Sequence, residues 1–124
     1  MGTDDAILIV EDDHDIREAI KELLEDAGYR VVLAAHGEDA LGQMRSGLNP
    51  RLILFDLMMP VMDGITFREQ QRADPRFSAI PVVLTSADRL GAERVKAMGV
   101  AGWLVKPFLA ADLLAAVERL LAPG

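Results

Sequence analysis

Residues that could carry out chemistry follow four of the apolar runs in this sequence. Carboxylates, hydroxyls and an ammonium group stand at these positions: Glu11-Asp12-Asp13 after residues 6–10, Asp56 after residues 52–55, Thr85-Ser86 after residues 82–84, and Lys106 after residues 103–105. Carboxylates that lie close together repel each other unless a cation intervenes. Oxygen ligands without histidine or cysteine suit Mg²⁺, and such an ion beside a lysine would neutralise a phosphoryl group during its transfer. A carboxylate can also accept a phosphoryl group covalently.

Each of these positions has an ordinary structural explanation when it is taken alone. Acidic residues after a strand often begin a helix, where the helix dipole favours negative charge. An aspartate at the end of a strand is commonly a turn residue or an N-cap, and adjacent hydroxyl residues commonly cap a helix. Only their joint occurrence after four of the five apolar runs favours a functional site; the run at residues 31–34 is followed by Ala35 and His36.

Five apolar runs predict the strands that would position these groups. None of the runs alternates with polar residues, which is typical of parallel strands that are buried on both faces. The runs cover residues 6–10, 31–34, 52–55, 82–84 and 103–105. Helical patterns follow them at residues 16–27, 40–44, 64–72, 90–98 and 110–121, and the third of these patterns has only weak periodicity.

Strands and helices that alternate five times predict an α/β fold with a doubly wound parallel sheet. Five units are too few for a TIM barrel. We therefore expect a flavodoxin-like strand order 2-1-3-4-5, with five helices in a three-layer α/β/α sandwich. The carboxyl ends of the strands would lie at one edge of this sheet, so the polar groups that follow them would meet there.

Length and composition limit the kinds of protein this chain can be. Its 124 residues, 51% of them apolar, predict one domain at residues 6–122 after a flexible segment at residues 1–5. The 13 basic and 20 acidic residues give a net charge of −7, which argues against direct binding to nucleic acid. The chain has no cysteine, and its apolar runs are shorter than the ~20 residues of a membrane span. We therefore expect no disulfide, no membrane insertion and a cytoplasmic location.

Four ordered motifs resemble those of the receiver domain of two-component response regulators, which has the fold of chemotaxis regulators. The motifs are Ile7-Leu8-Ile9-Val10-Glu11-Asp12-Asp13, Leu54-Phe55-Asp56-Leu57-Met58-Met59-Pro60 with Met62-Asp63-Gly64, Pro81-Val82-Val83-Leu84-Thr85-Ser86-Ala87, and Trp103-Leu104-Val105-Lys106-Pro107-Phe108. The resemblance extends over essentially the whole chain.

The resemblance implies a role for each acidic residue. Asp56 would accept the phosphoryl group, and Asp12 and Asp56 would bind Mg²⁺ directly. Glu11 would hold the ion through a water molecule, and the backbone carbonyl of Met58 would be a further ligand. Asp13 would begin the first helix and would not be a ligand.

The resemblance also implies a switch beside the phosphoryl group. Ser86 matches the switch hydroxyl, with Thr85 as its close competitor one residue earlier. Lys106 would pair with the phosphoryl group, and the peptide bond to Pro107 would be cis. Trp103 stands where the family mostly has Tyr or Phe, and it would move inward after the switch hydroxyl.

A phosphoacceptor switch, which is not an enzyme, is the function that the resemblance implies. A sensor histidine kinase or a histidine phosphotransfer protein would phosphorylate Asp56 and change the surface of strand 5 and of the helices at residues 90–98 and 110–121. A downstream output protein, or an output domain after residue 124, would bind this surface. We expect a monomer or a weak, phosphorylation-dependent dimer. Met58 and Asp88 match positions that flank the hydrolytic water, and an apolar Met58 predicts slow self-dephosphorylation.

Three other functions fit the sequence less well. A degenerate receiver that is never phosphorylated would act as an interaction module, but the site residues are complete. An aspartate-dependent phosphatase usually needs a second aspartate two residues after the nucleophile, where this chain has Met58. A small-molecule-binding flavodoxin-like module would need a phosphate-binding loop after strand 1, where Glu11-Asp12-Asp13 carries the opposite charge.

Overall fold

A computed structural model of the protein describes residues 6–57, 62, 64–86 and 96–121. Five strands form one parallel sheet: β1 (Ile7–Val10), β2 (Val31–Ala34), β3 (Leu52–Asp56), β4 (Val82–Ser86) and β5 (Gly102–Val105). Their order in the sheet is β2-β1-β3-β4-β5, so the predicted fold class and strand order are confirmed. β3 and β4 are longer than their apolar runs, because the strand pairing continues to Asp56 and Ser86.

Helices connect the strands. The described ranges contain α1 (His14–Asp26), α2 (Gly37–Arg45), α3 (Gly64–Ala73) and α4 (Ala110–Leu121). Of the helix predicted at residues 90–98, residues 96–98 are described; they are helical and end at Gly99, where φ is +65°. The rest of that prediction, and the flexible segment predicted at residues 1–5, lie outside the described residues.

Each face of the sheet packs against its own apolar cluster. Side chains of successive strand residues alternate between the faces. On one face, Leu8, Val10, Ile53 and Phe55 pack with residues of α2 and α3, including Leu41 and Phe67. On the other face, Ile7, Ile9, Leu52 and Leu54 pack with residues of α1 and α4, including Leu24 and Val117. This arrangement is the predicted three-layer α/β/α sandwich.

α3 begins directly against the end of β3. The Gly64 N–H donates a hydrogen bond to the Leu57 carbonyl at 2.9 Å, and a Cβ atom on Gly64 would lie 2.9 Å from the Leu57 Cα. A side chain would not fit at that distance, so the close contact requires glycine. α3 is thereby attached to the residue that follows Asp56.

No helix within the described ranges has the length and apolar character that would let it cross a membrane.

Candidate functional site

The carboxyl ends of β3, β4 and β5 bring three polar side chains to one edge of the sheet. Asp56 is the last residue of β3 and pairs with Thr85 of β4. Ser86 is the last residue of β4 and pairs with Val105, which directly precedes Lys106. Glu11 follows β1, the neighbour of β3 on the other side, so a fourth strand adds its polar residue to the same edge.

One ammonium group joins two buried carboxylates at this edge. The Lys106 Nζ donates hydrogen bonds to Glu11 Oε1 at 2.7 Å and to Asp56 Oδ2 at 3.1 Å. The exposed fractions of the side chains are 3% for Glu11, 7% for Asp56 and 18% for Lys106. Buried charges are costly unless they are paired, and the bridge through Lys106 supplies that pairing.

Burial and charge act in opposite directions on this bridge. Burial raises the pKa of Glu11 above its ordinary value, and the charge of Asp56 adds to the increase, while the hydrogen bond from Lys106 opposes it. Burial alone would lower the pKa of Lys106, but its hydrogen bond to Glu11 and the charge of Asp56 outweigh that effect and raise it. Lys106 therefore stays cationic at neutral pH, beside a glutamate whose ionised form is costly.

Three carboxylates lie close enough together to hold one cation. Ligand oxygens of Glu11, Asp12 and Asp56 all lie within 4.8 Å of one another. Glu11 and Asp56 are buried, and Asp12 is exposed. Mg²⁺ prefers oxygen ligands and keeps several of its waters, and the exposed side at Asp12 gives those waters access. The residues present therefore fit Mg²⁺.

The third acidic residue of the run has a structural role. The Asp13 side chain accepts a hydrogen bond from the Ile16 N–H at 3.0 Å and is the N-cap of α1. The Asp13 N–H in turn donates to Glu11 Oε2 at 3.2 Å. This cap fixes the path of the backbone between Glu11 and the start of α1.

Arg17 also supports this loop, although nothing in the sequence marks it as a site residue. Its guanidinium donates a hydrogen bond to the Glu11 carbonyl at 2.8 Å. Arg17 belongs to α1 and Glu11 to the preceding loop, so no helical spacing relates the two residues in the sequence.

Two hydroxyl residues at the end of β4 lie on opposite faces of the sheet. Side chains alternate along a strand, and paired residues of neighbouring strands lie on the same face. Thr85 therefore shares the face of Asp56, while Ser86 shares the face of Trp103, which pairs with Leu84. Thr85 and Ser86 are both buried.

The indole nitrogen of Trp103 is buried and has no hydrogen-bond partner in the part of the chain that is described. The remaining predicted site residues, Met58 and Asp88, lie outside the described residues. The peptide bond between Lys106 and Pro107 is cis, as the resemblance implies.

Comparisons with known proteins agree with this geometry. Residues 7–118 match the family described as the response regulator receiver domain. The chain is similar to the response regulator Rre1 of Synechocystis sp., with 37% identity over 120 residues, 94% of this chain and 52% of Rre1. The chain therefore spans about half the length of that relative.

Two solved structures are also similar. The chemotaxis response regulator CheY4 of Vibrio cholerae has a TM-score of 0.86 and 34% identity, covering 94% of this chain and 98% of CheY4. The response regulator protein TrrA of Thermotoga maritima, in complex with Mg²⁺ and BeF, has a TM-score of 0.83 and 30% identity, covering 94% of this chain and 99% of TrrA. With most of its length matched by the family, this chain belongs to the response regulator receiver domains of two-component signalling.

Proposed function

We propose that this receiver domain is a phosphorylation switch that accepts a phosphoryl group on Asp56. The observation that carries the proposal is the bridge from Lys106 to the buried carboxylates of Glu11 and Asp56. A lysine held against the acceptor carboxylate lies where a phosphoryl group on Asp56 would bring negative charge. The donor is a phosphohistidine of a sensor histidine kinase or of a phosphotransfer protein.

The transfer moves one phosphoryl group between two side chains. A carboxylate oxygen of Asp56 forms a bond to phosphorus, while the bond between phosphorus and the donor's imidazole nitrogen breaks. The electron pair of the broken bond stays on the imidazole, and Asp56 becomes an acyl phosphate. Lys106 stabilises the negative charge on the phosphoryl oxygens, because its ammonium group already contacts Asp56.

The acidic side chains also serve the transfer by holding Mg²⁺. Asp12 and Asp56 would bind the ion directly, Glu11 would hold it through a water, and the backbone carbonyl of Met58 would be a further ligand. When bound there, the ion would supply positive charge for the phosphoryl oxygens and would relieve the repulsion between these carboxylates.

The response to phosphorylation passes through Ser86 and Trp103. The Ser86 hydroxyl binds a phosphoryl oxygen, and Trp103, on the same face of the sheet, moves inward with it. Ser86 is favoured over Thr85 as the residue that links the phosphoryl group to Trp103, because Thr85 lies on the face of the sheet opposite to Trp103. The surface that changes comprises β5, α4 and residues 90–98, and a downstream protein or an output domain binds it.

The phosphoryl group stays on Asp56, so the domain is a phosphoacceptor that catalyses its own phosphorylation and is not an enzyme that releases a product. Its self-dephosphorylation is slow, because Met58 and Asp88 match the family positions that flank the hydrolytic water, and a methionine offers that water no useful hydrogen bond. We place the domain in the cytoplasm, as a monomer or a weak phosphorylation-dependent dimer.

Intact-protein mass spectrometry tests the acceptor. Incubation with acetyl phosphate and Mg²⁺ should add one phosphoryl group to the wild-type protein and none to Asp56→Asn. Asp13→Asn is the matched control, since it removes a neighbouring carboxylate while asparagine still caps α1. This control should be phosphorylated like the wild type. Phosphorylation of Asp56→Asn at the wild-type level would refute the assignment.

A further inference from the structure

A buried arginine and a buried glutamine lie on the inner side of α3, where apolar residues are expected. The exposed fraction is 9% for Arg68 and 0% for Gln71. Their neighbour Phe67 is part of the apolar cluster under α3. A guanidinium group is costly to bury unless its donors are satisfied, so the partners of Arg68 identify what this site does.

Arg68 distributes its donors over three acceptors. Its Nε donates to the Met98 carbonyl at 2.8 Å, and one terminal nitrogen donates to the Gly99 carbonyl at 2.8 Å. The other terminal nitrogen donates to Gln71 Oε1 at 2.7 Å. The Gln71 amide group then donates to two backbone carbonyls in the turn before β4, at 2.9 and 3.0 Å. Arg68 and Gln71 therefore attach α3 both to the turn before β4 and to the turn before β5.

The carbonyls that Arg68 contacts lie at the carboxyl end of the helical turn at residues 96–98. Carbonyl groups at such an end lack helical partners and carry partial negative charge. Arg72 adds longer hydrogen bonds to the carbonyls of Ala97 and Met98, both at 3.3 Å. Within the described ranges no carboxylate pairs with Arg68, so these carbonyls and Gln71 balance its charge.

α3 connects the hydrogen bonds of Arg68 to β3, the strand that ends with Asp56. Its first residue, Gly64, contacts Leu57, the residue after Asp56. One turn further, Arg68 holds the backbone at Gly99, four residues before Trp103 of β5. A continuous series of contacts therefore leads from the end of β3 along α3 to the start of β5, separate from the hydroxyl residues of β4.

We propose that Arg68 is a positioning residue that couples the Asp56 site to Trp103 through α3, in parallel with the route through Ser86. The inference rests on the proposed function, because it concerns the response to phosphorylation. α3 and the turn at residues 96–98 move as one unit, so a displacement of Leu57 is transmitted to the beginning of β5.

Arg68→Met and Arg72→Met test this coupling as a matched pair. Both remove a guanidinium from α3, but Arg72 is exposed and its bonds are longer. Beryllofluoride with Mg²⁺ stands in for the phosphoryl group, and its binding is followed by the increase in melting temperature. The response is followed by the fluorescence of Trp103, the single tryptophan of the chain.

Arg68→Met should bind beryllofluoride but give a smaller Trp103 response. We expect the ratio of switched to unswitched protein to fall by about threefold or more, within the range for residues that carry coupling. Arg72→Met should respond like the wild type. Arg68→Lys keeps the charge but cannot reach three acceptors at once, so its response should be intermediate, and it provides the same test if Arg68→Met does not fold.

Two results would overturn the inference. One is a full Trp103 response in an Arg68→Met or Arg68→Lys protein that binds beryllofluoride, and the other is an equal loss of response in Arg72→Met. If the wild-type protein itself does not bind beryllofluoride, the proposed function fails and the coupling through Arg68 fails with it.

Discussion

Replacing Asp12 with asparagine should stabilise the protein when divalent cations are absent. The Asp12 carboxylate lies within 4.8 Å of oxygens of Glu11 and Asp56. At that separation two like charges repel by about 0.9 kcal/mol in a dielectric like that of water, which suits the exposed Asp12. Lys106 attracts Asp12 and offsets part of the repulsion from two neighbours, and salt screens the rest. We therefore expect the free energy of unfolding to rise by at most about 1 kcal/mol.

Mg²⁺ should make the wild-type protein more stable than Asp12→Asn, the reverse of the order without the ion. A ligand that binds only the folded state stabilises it by about 2.7 kcal/mol at a concentration 100-fold above its dissociation constant. Asp12→Asn lacks a proposed direct ligand, so its gain at the same concentration should be much smaller. The wild-type protein should then be the more stable of the two, by roughly 1–2 kcal/mol.

Thermal denaturation in EDTA and in a series of Mg²⁺ concentrations measures both effects. A change of 1 kcal/mol corresponds to about 4 °C in melting temperature for a chain of this size. Asp13→Asn is the control, because it removes the adjacent charge and keeps the α1 cap; it should retain the full Mg²⁺ effect. An equal Mg²⁺ effect in Asp12→Asn would show that the ion binds elsewhere, and a lower stability of this variant in EDTA would refute the repulsion.

Two further measurements examine the bridge and the switch. Burial raises the pKa of Glu11 in the folded protein above its ordinary value of 4.5. The wild-type protein therefore loses stability as the pH rises from 4.5 through the raised pKa. Glu11→Gln has no such loss, so its stability relative to the wild type should increase over that range. Urea denaturation at several pH values checks the slope, and a difference that does not vary with pH would contradict it. The fluorescence response of Trp103 to beryllofluoride should decrease in Ser86→Ala and persist in Thr85→Ala, and the opposite result would place the switch hydroxyl at Thr85.

The sheet could be predicted from the sequence because all five strands are apolar runs; β1, β3 and β4 are fully buried, and most residues of the edge strands β2 and β5 are half-buried. The apolar runs gave the five strands and, with the helices between them, the parallel order. The ends of β3 and β4 were predicted too early, since apolar patterns report burial, whereas the backbone pairing continues to the polar residues Asp56 and Ser86.

The apolar periodicity of α3 is weak for a physical reason. Arg68 and Gln71 occupy its buried side, so the apolar repeat is interrupted where the helix packs. The start of α2 was also not predicted, because the cap is the ring nitrogen of His36, which accepts the Asp39 N–H at 3.1 Å. Histidine is not among the usual N-cap residues, and the sequence gives no indication that its ring takes this role.

The site could be predicted as a set of residues but not as a pattern of contacts. Parallel strands place their carboxyl ends at one edge, which is enough to bring Glu11, Asp56 and Lys106 together. Which carboxylates share the lysine depends on side-chain distances between residues that are far apart in the chain.

The sharing of Lys106 has a consequence for phosphorylation. A phosphoryl group on Asp56 would compete with Glu11 for the Lys106 ammonium, which now contacts both carboxylates. Glu11 would then lose the hydrogen bond that keeps its pKa from rising further, while its burial remains. Glu11 must therefore either take up a proton or accept a hydrogen bond from a new donor, and a water held by the proposed cation is such a donor. Phosphorylation of Asp56 is thereby linked either to proton uptake by Glu11 or to the binding of Mg²⁺.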